Sequence, residues 1–277
     1  MTVIFALWKR NIRAFWRNKP ALIFNLVFPF FFIFVFAEIF RNDYIENAIS
    51  FMLAGIIIAV VFDSAIRISS NTIDDMTSGF MREVLVSPVS RLTIAIGQFA
   101  SSATVATLQG IIIFVVGFAI GLRISSPITI LYALLAMLFV GLVFAGFGLF
   151  LATRAKNIQT FQAVSMAITM PMTFLSGAYI PLSMLNDFLT TVAYFNPMTY
   201  AVILFRSIVL ERTGDPTEQL IMQELAFKVG DFTIEPVHAA LILAAFGVLF
   251  LLLSTISFIR LDFSRMNRNK NDSLEIE

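Results

Sequence analysis

The chain has 277 residues, of which 58% are hydrophobic and only 13% charged, with 31 phenylalanines and a formal net charge of +1. Soluble domains carry about 25% charged residues, so this balance excludes an ordinary soluble protein and indicates an all-α integral membrane protein. With no cysteine and one histidine, His238, disulfides and thiolate or histidine metal clusters are excluded; no metal and no nucleic-acid partner is expected.

Ahead of the first apolar run, Phe5, Trp8, Ile12, Phe15 and Trp16 recur at helical spacing, with Arg10, Arg13 and Arg17 on the other face and Lys9 nearby. Over residues 1–19 this predicts an amphipathic helix lying in the membrane interface, its cations toward anionic lipid. A soluble helix packed on a partner is the alternative. A bilayer core of roughly 30 Å needs about 20 apolar residues per crossing. Six stretches meet that length, at residues 20–40, 48–69, 93–121, 128–152, 161–180 and 237–260. The first outruns the apolar core of a signal peptide and no small-x-small site follows, so it is expected to be retained. Glu38, near its outer end, is expected at the interface.

Asp63 and Arg67, four apart in the second span, share one helical face. They either pair, offsetting the cost of intramembrane charge, or lie near the helix end where Arg67 reaches the interface. The polar stretch that follows begins with Thr72 and Asp75 at capping-box spacing, and Met76, Phe80 and Val84 then share one face up to Pro88. A short helix over residues 72–87 is expected, serving either to dock on a partner or simply to connect two spans.

Farther on, Gly117 and Gly121, and then Gly141, Ala145, Gly146 and Gly148, offer close helix approach. Pro171 in span five, close to Gly177 and Pro181, predicts a kink or break. Met166, Met170, Met172, Phe174 and Tyr179 around it form either an adaptable apolar gate or ordinary packing. Residues 181–210 are too interrupted by Pro181, Asn186, Asp187, Asn196 and Pro197 for a plain crossing. They predict a re-entrant pair of short helices turning at Asn196-Pro197. Residues 211–236 read as an acidic external loop, and 261–277 as a polar tail. Lys and Arg crowd one side of this topology, which places both termini in the cytoplasm of a plasma membrane under the positive-inside rule.

The stretch "SGFMREVLVSPVSRLTIAIGQ", followed by "FLSGAYIPLSMLNDFLTTVAYFNPMTYAVILFR", resembles two signatures of the ABC-2 type permease family, and with the six spans the resemblance covers nearly the whole chain. It implies a homodimer, or a dimer with a paralogous permease, exporting a drug, lipid or polysaccharide. A coupling helix would seat on a separate ABC ATPase, present in two copies, through Asp75, Gly79, Phe80, Arg82, Glu83, Ser87 and Pro88. The pathway or gate would involve Met170, Pro171, Phe174, Gly177, Tyr179, Pro181, Asn196 and Pro197. The chain departs from the family pattern at Asp75-Met76-Thr77 and at Phe80. It has no G-x-x-x-x-G-K-[ST] phosphate loop, so ATP and Mg are expected on the partner, no cofactor on this chain and no enzymatic activity of its own. A secondary transporter or a membrane scaffold is the rival reading; the former would call for mid-membrane ionisable residues and inverted repeats.

Overall fold

The structure, a computed structural model, describes residues 2–20, 48–78 and 90–260, together with Ile23, Val27, Pro29 and Phe31. Most of the expected first span with Glu38, the stretch from Gly79 through Phe80, Arg82, Glu83, Ser87 and Pro88, and the tail 261–277 lie outside the described residues.

The described chain is mostly helical. An N-terminal helix α1 (Thr2–Arg17) precedes α2 (Ala48–Ile68), which runs into a short α3 (Ser70–Thr77). Then come α4 (Arg91–Ile120), α5 (Pro127–Arg154) and α6 (Ile158–Phe174). Two short helices, α7 (Asp187–Tyr194) and α8 (Pro197–Val209), lead through α9 (Thr217–Met222) and a hairpin of β1 (Phe227–Val229) and β2 (Phe232–Ile234) to α10 (Pro236–Ile259). Among the described residues four helical runs are long and apolar enough to cross a membrane: Ile49–Thr77, Arg91–Ile120, Pro127–Arg154 and Pro236–Ile259. The pair α7 and α8, bent by 84°, is a fifth candidate if taken as one broken span.

The α2 helix is apolar on every side, as a helix surrounded by protein must be. Leu53, Ile56, Ile57, Val61 and Phe62 are fully buried, and α4, α5 and α8 pack around it. Phe62 meets Phe144 edge-on at 4.5 Å, and Phe144 lies 6.5 Å from Phe250, so one aromatic cluster joins α2, α5 and α10. The close approach rests on small residues. A Cβ on Gly148 would stand 2.7 Å from Ile66 Cα, one on Gly146 3.2 Å from Phe250 Cβ, and one on Gly141 3.1 Å from the Ala103 carbonyl. Gly117 and Gly121 behave differently. Gly117 makes ordinary contacts, and Gly121, at φ +131°, ends α4 instead of packing it; a side chain would be strained in that conformation.

Three expectations need correction. The helix after span two does not begin at Thr72: Ser69, at its N-cap position, is itself helical, so no free N-terminus exists for a Thr72–Asp75 capping box, and Thr72 Oγ1 has no partner among the described residues. The fifth expected span, 161–180, does not run as one helix: α6 ends at Phe174 and is not among the helices of crossing length. Its 17 residues rise about 25 Å at 1.5 Å each. Nor are residues 211–236 a plain loop. They fold into α9 and a hairpin whose Val229 and Phe232 pair across a Gly230-Asp231 turn. Gly230 takes φ +61°, as tight hairpin turns require.

Candidate coupling and gating site

Arg67, Arg91, Arg154 and Arg260 close the ends of α2, α5 and α10 and the start of α4, and Arg91 Nη1 donates to the Ile259 carbonyl there. This is the basic end of the bundle. At it, α1 lies against α4 through a mixed surface: Trp8 Nε1 donates to Thr104 Oγ1 at 3.0 Å and Asn11 Nδ2 to Gln98 Oε1 at 3.3 Å. Phe5 and Trp16 remain more than half exposed. The apolar stripe read from the sequence is therefore divided between a protein-facing and an outward-facing part, because Asn11, outside that stripe, is the residue α4 buries.

Asp75 does not face outward. It is 6% exposed, and its Oδ2 accepts from Arg10 Nη2 at 2.6 Å and from Gln98 Nε2 at 3.0 Å. With Asn11 bonded to Gln98, these side chains tie α1, α3 and α4 into one polar cluster. Met76, expected on an outward ridge with Phe80, is buried at 8% exposure; Asp74, Thr77 and Ser78 are the exposed residues of this segment. One turn before α3, Arg67 Nη2 pairs with Asp63 Oδ2 at 3.1 Å, both side chains about half exposed. The pair forms, and it does so at the helix end.

The second cluster occupies the opposite end. The Phe174 and Tyr179 rings meet at 5.4 Å, tilted by 41°, with Gly177 between them at φ +84°. Asn196 caps α8 by accepting from Met198 N, while its Nδ2 donates to the Met172 carbonyl at 2.6 Å. Thr199 Oγ1 and the Tyr200 hydroxyl donate back to the Ala193 and Tyr194 carbonyls, so the bend at Asn196-Pro197 is fixed by side chains. The structure thus brings Phe174, Gly177, Tyr179 and Asn196 together. Pro181 is buried at the start of a single 3-10 turn, whereas Met170 and Pro171 lie on the exposed face of α6. That helix buries only Phe161, Ser165 and Thr169.

Residue-by-residue reading of the sequence missed Arg206, beyond its place in the family signature. It is 1% exposed, with Nε donating to the Phe51 carbonyl at 3.2 Å and Nη2 to the Gly177 carbonyl at 2.9 Å. Its guanidinium carbon lies 3.5 Å from the Phe51 ring centroid, a cation–π contact strengthened by desolvation. Beside it, a Cβ on Gly55 would fall 2.2 Å from the Ala178 carbonyl oxygen. Glu211 and Glu224 were also missed. Both adopt positive φ, at 58° and 59°. Each carboxylate accepts from two consecutive backbone N–H groups: Ser125 and Ser126 at the start of α5 for Glu211, Leu182 and Ser183 for Glu224. The segment read as a solvated loop is pinned to the bundle at both points. Phe227 stacks on Tyr194 at 4.9 Å as well.

A 29-residue helical run from Ile49 to Thr77 joins these clusters, reaching the Arg206 locus at one end and Asp75 at the other. Sequence comparison adds the deciding observation: the ABC-2 type transporter family model matches residues 2–210. The chain belongs to the ABC-2 type transporter family. It is 26% identical over 211 residues to the transport permease ycf38 of Cyanophora paradoxa, covering 72% of this chain and 71% of that one. To Nodulation protein J of Rhizobium leguminosarum bv. viciae it is 27% identical over 220 residues, covering 74% and 81%. To Nodulation protein J of Rhizobium leguminosarum bv. trifolii it is 34% identical over 117 residues, covering 42% and 44%. Membership makes this ABC-2 chain a membrane transport permease, itself not an enzyme, and implies partnership with an ABC ATPase. The matched region ends at Leu210, so the Glu224 contact and the hairpin lie beyond it.

Proposed function

We propose that this ABC-2 permease is the membrane subunit of an ATP-driven exporter: two copies, with two separate ATPase subunits binding ATP and Mg, move an amphiphilic or hydrophobic substrate outward. Both termini lie in the cytoplasm of the plasma membrane. The first span and α6 complete six crossings, and the 84° pair α7–α8 is a re-entrant hairpin entered from outside. The ATPase seats on the segment that begins with α3 and continues through Gly79, Phe80, Arg82, Glu83, Ser87 and Pro88. Asp75 serves there as an internal anchor, joining the moving segment to α1 and α4.

The observation that carries this reading is the continuous run Ile49–Thr77, tied at one end to Arg10 and Gln98 through Asp75 and at the other to Arg206 through the Phe51 carbonyl. At about 1.5 Å per residue it is a rod of about 43 Å. A push on α3 is therefore delivered to Gly177, Ala178 and the base of the α8 helix, a two-state rearrangement of packed elements. On α6, the exposed Val164, Met166 and Met170 suit a flexible apolar lining shared with a second copy. The likeness to Nodulation protein J and the transport permease ycf38 supports transport without naming the cargo.

The test is co-expression with an ABC ATPase from the same genome, followed by purification and measurement of ATP hydrolysis with wild type and with Glu83→Arg. A complex that forms with wild type and loses hydrolysis or assembly with the variant supports the reading. If the variant complex hydrolyses ATP like wild type, the seat lies elsewhere.

A further inference from the structure

Between α1, the junction of α2 and α3, and the middle of α4 lies a cavity of about 270 Å³. Its polar wall carries Asn11, Asn18, Arg67, Asn71 and Gln109, and Phe15 and Val105 contribute apolar surface. Gln109 is the informative residue. It is 2% exposed; its Oε1 accepts from Ser64 Oγ at 2.6 Å, and Ser64 Oγ in turn accepts from Arg67 Nη2 at 3.5 Å. With Oε1 engaged by Ser64, Nε2, a donor, has no partner among the described residues. Buried polar groups in proteins are almost always bonded, so an orphan donor on a cavity wall calls for an acceptor supplied from outside the chain.

The donors define the acceptor. A guanidinium and several carboxamides around one cavity match the oxygens of a phosphate, which accept many hydrogen bonds and carry the charge that Arg recognises best. Asp63 holds Arg67 at 3.1 Å and so fixes its direction. Arg17 and Lys19, the chain neighbours of Asn18, are exposed and add positive field at the rim. The surroundings are those of a bilayer surface, since α1 is amphipathic and exposes Phe5 and Trp16 at 58% and 52%. We propose that this cavity binds the phosphate-bearing headgroup of an anionic phospholipid, with the Gln109 amide as the innermost donor. The cavity lies beside Arg67 and the start of α3, at the basic end, and the lipid is a resident ligand there and not the transported cargo. The inference holds whether or not the permease works with an ATPase.

The experiment is native mass spectrometry of the full chain in detergent, titrated with phosphatidylglycerol or with phosphatidylcholine of the same acyl chains. Gln109→Met removes the innermost donor at nearly constant volume. Asn71→Ala removes a half-buried donor from the wall and serves if the first variant does not fold. Wild type is expected to retain one phosphatidylglycerol about tenfold more tightly than phosphatidylcholine, reflecting the basic rim. Each folded variant should lose about tenfold in phosphatidylglycerol affinity, the scale of one hydrogen bond to a charged group. Millimolar inorganic phosphate is expected to compete weakly. Equal binding of phosphatidylglycerol by wild type and both variants would overturn the proposal. So would indifference between the two lipids, or inorganic phosphate binding as tightly as the lipid.

Discussion

Arg10 and Asp75, 65 positions apart in the chain, meet at 2.6 Å across the boundary between α1 and α3. The carboxylate is almost fully buried while the guanidinium is about one-third exposed, so the pair is neither a solvent-screened surface bridge nor a fully desolvated one. Among the described residues, losing Arg10 leaves the Asp75 charge held by Gln98 alone. We expect Arg10→Ala to destabilise the detergent-solubilised chain by about 1–3 kcal/mol, the range for hydrogen bonds to charged groups. A double-mutant cycle with Asp75→Asn, read by thermal unfolding, should show clear non-additivity. Strict additivity would mean that the contact contributes no coupling energy.

The glycines separate into two kinds. Gly55→Ala drives a Cβ to 2.2 Å from the Ala178 carbonyl oxygen, a backbone atom that cannot swing away, whereas Gly214 has nothing within 4 Å of such an atom. Overpacking costs about 1–3 kcal/mol and sometimes more, so Gly55→Ala should lower the unfolding temperature or yield while Gly214→Ala leaves both unchanged. If the two behaved alike in a side-by-side thermal melt, the close contact of α2 with residues 177–178 would not exist in the folded protein.

Arg206 provides charge, hydrogen bonds and ring contact in one buried side chain. Arg206→Met keeps much of the volume but leaves the Phe51 and Gly177 carbonyls without their donor, and we expect a loss of at least about 2 kcal/mol, since unsatisfied buried groups cost about 1–3 kcal/mol each. Arg206→Lys should recover only part, because an ammonium cannot reproduce a planar fork reaching several carbonyls. Limited proteolysis between α6 and α8 is the local readout. An unchanged cleavage pattern in Arg206→Met would remove the residue from its anchoring role.

Glu211 makes its end of the bundle sensitive to acid. Hydrogen bonds from the backbone N–H of Ser126, the Thr129 hydroxyl and the Ser125 N–H hold its carboxyl below the ordinary value of 4.5. A depressed folded pKa means that the unfolded state binds more protons, so this stabilisation is complete above pH 4.5 and fades as pH falls through the lower folded value. Amide exchange at Ser125 and Ser126 should therefore rise relative to the intrinsic rate below pH 4.5 in wild type. In Glu211→Gln it should show no such step. A step of equal size in the variant would assign it to another group.

Much of the architecture was legible in the sequence. Residues 48–69, 93–121, 128–152 and 237–260 match α2, α4, α5 and α10 within two residues at each end, because an apolar run of bilayer length has few alternatives to a helix. The bend at Asn196-Pro197 was legible for an equally local reason: proline disfavours helical geometry in the residue before it. The two ordered signatures carried the family assignment. Of the candidate coupling residues, Gly79 to Pro88 lie outside the described residues, and Asp75 faces inward.

What the tertiary structure alone decided are the contacts between distant residues. Periodicity placed Arg10 among cations facing lipid and Asp75 in a first helical turn; the partner that each took depends on α1 crossing α4 beside α3, which no local pattern encodes. Arg206 counted in the sequence as one more cation on the outer side and as the last residue of the family signature, although the fold buries it at 1% exposure against Phe51. Glu211 and Glu224 in positive φ were invisible for the same reason, since a non-glycine residue adopts that conformation only where surrounding contacts compel it. Hydrophobic length and proline act within a few residues and can be read in order along the chain. Buried charge needs a partner, and the identity of that partner is fixed only when helices far apart in sequence are brought together.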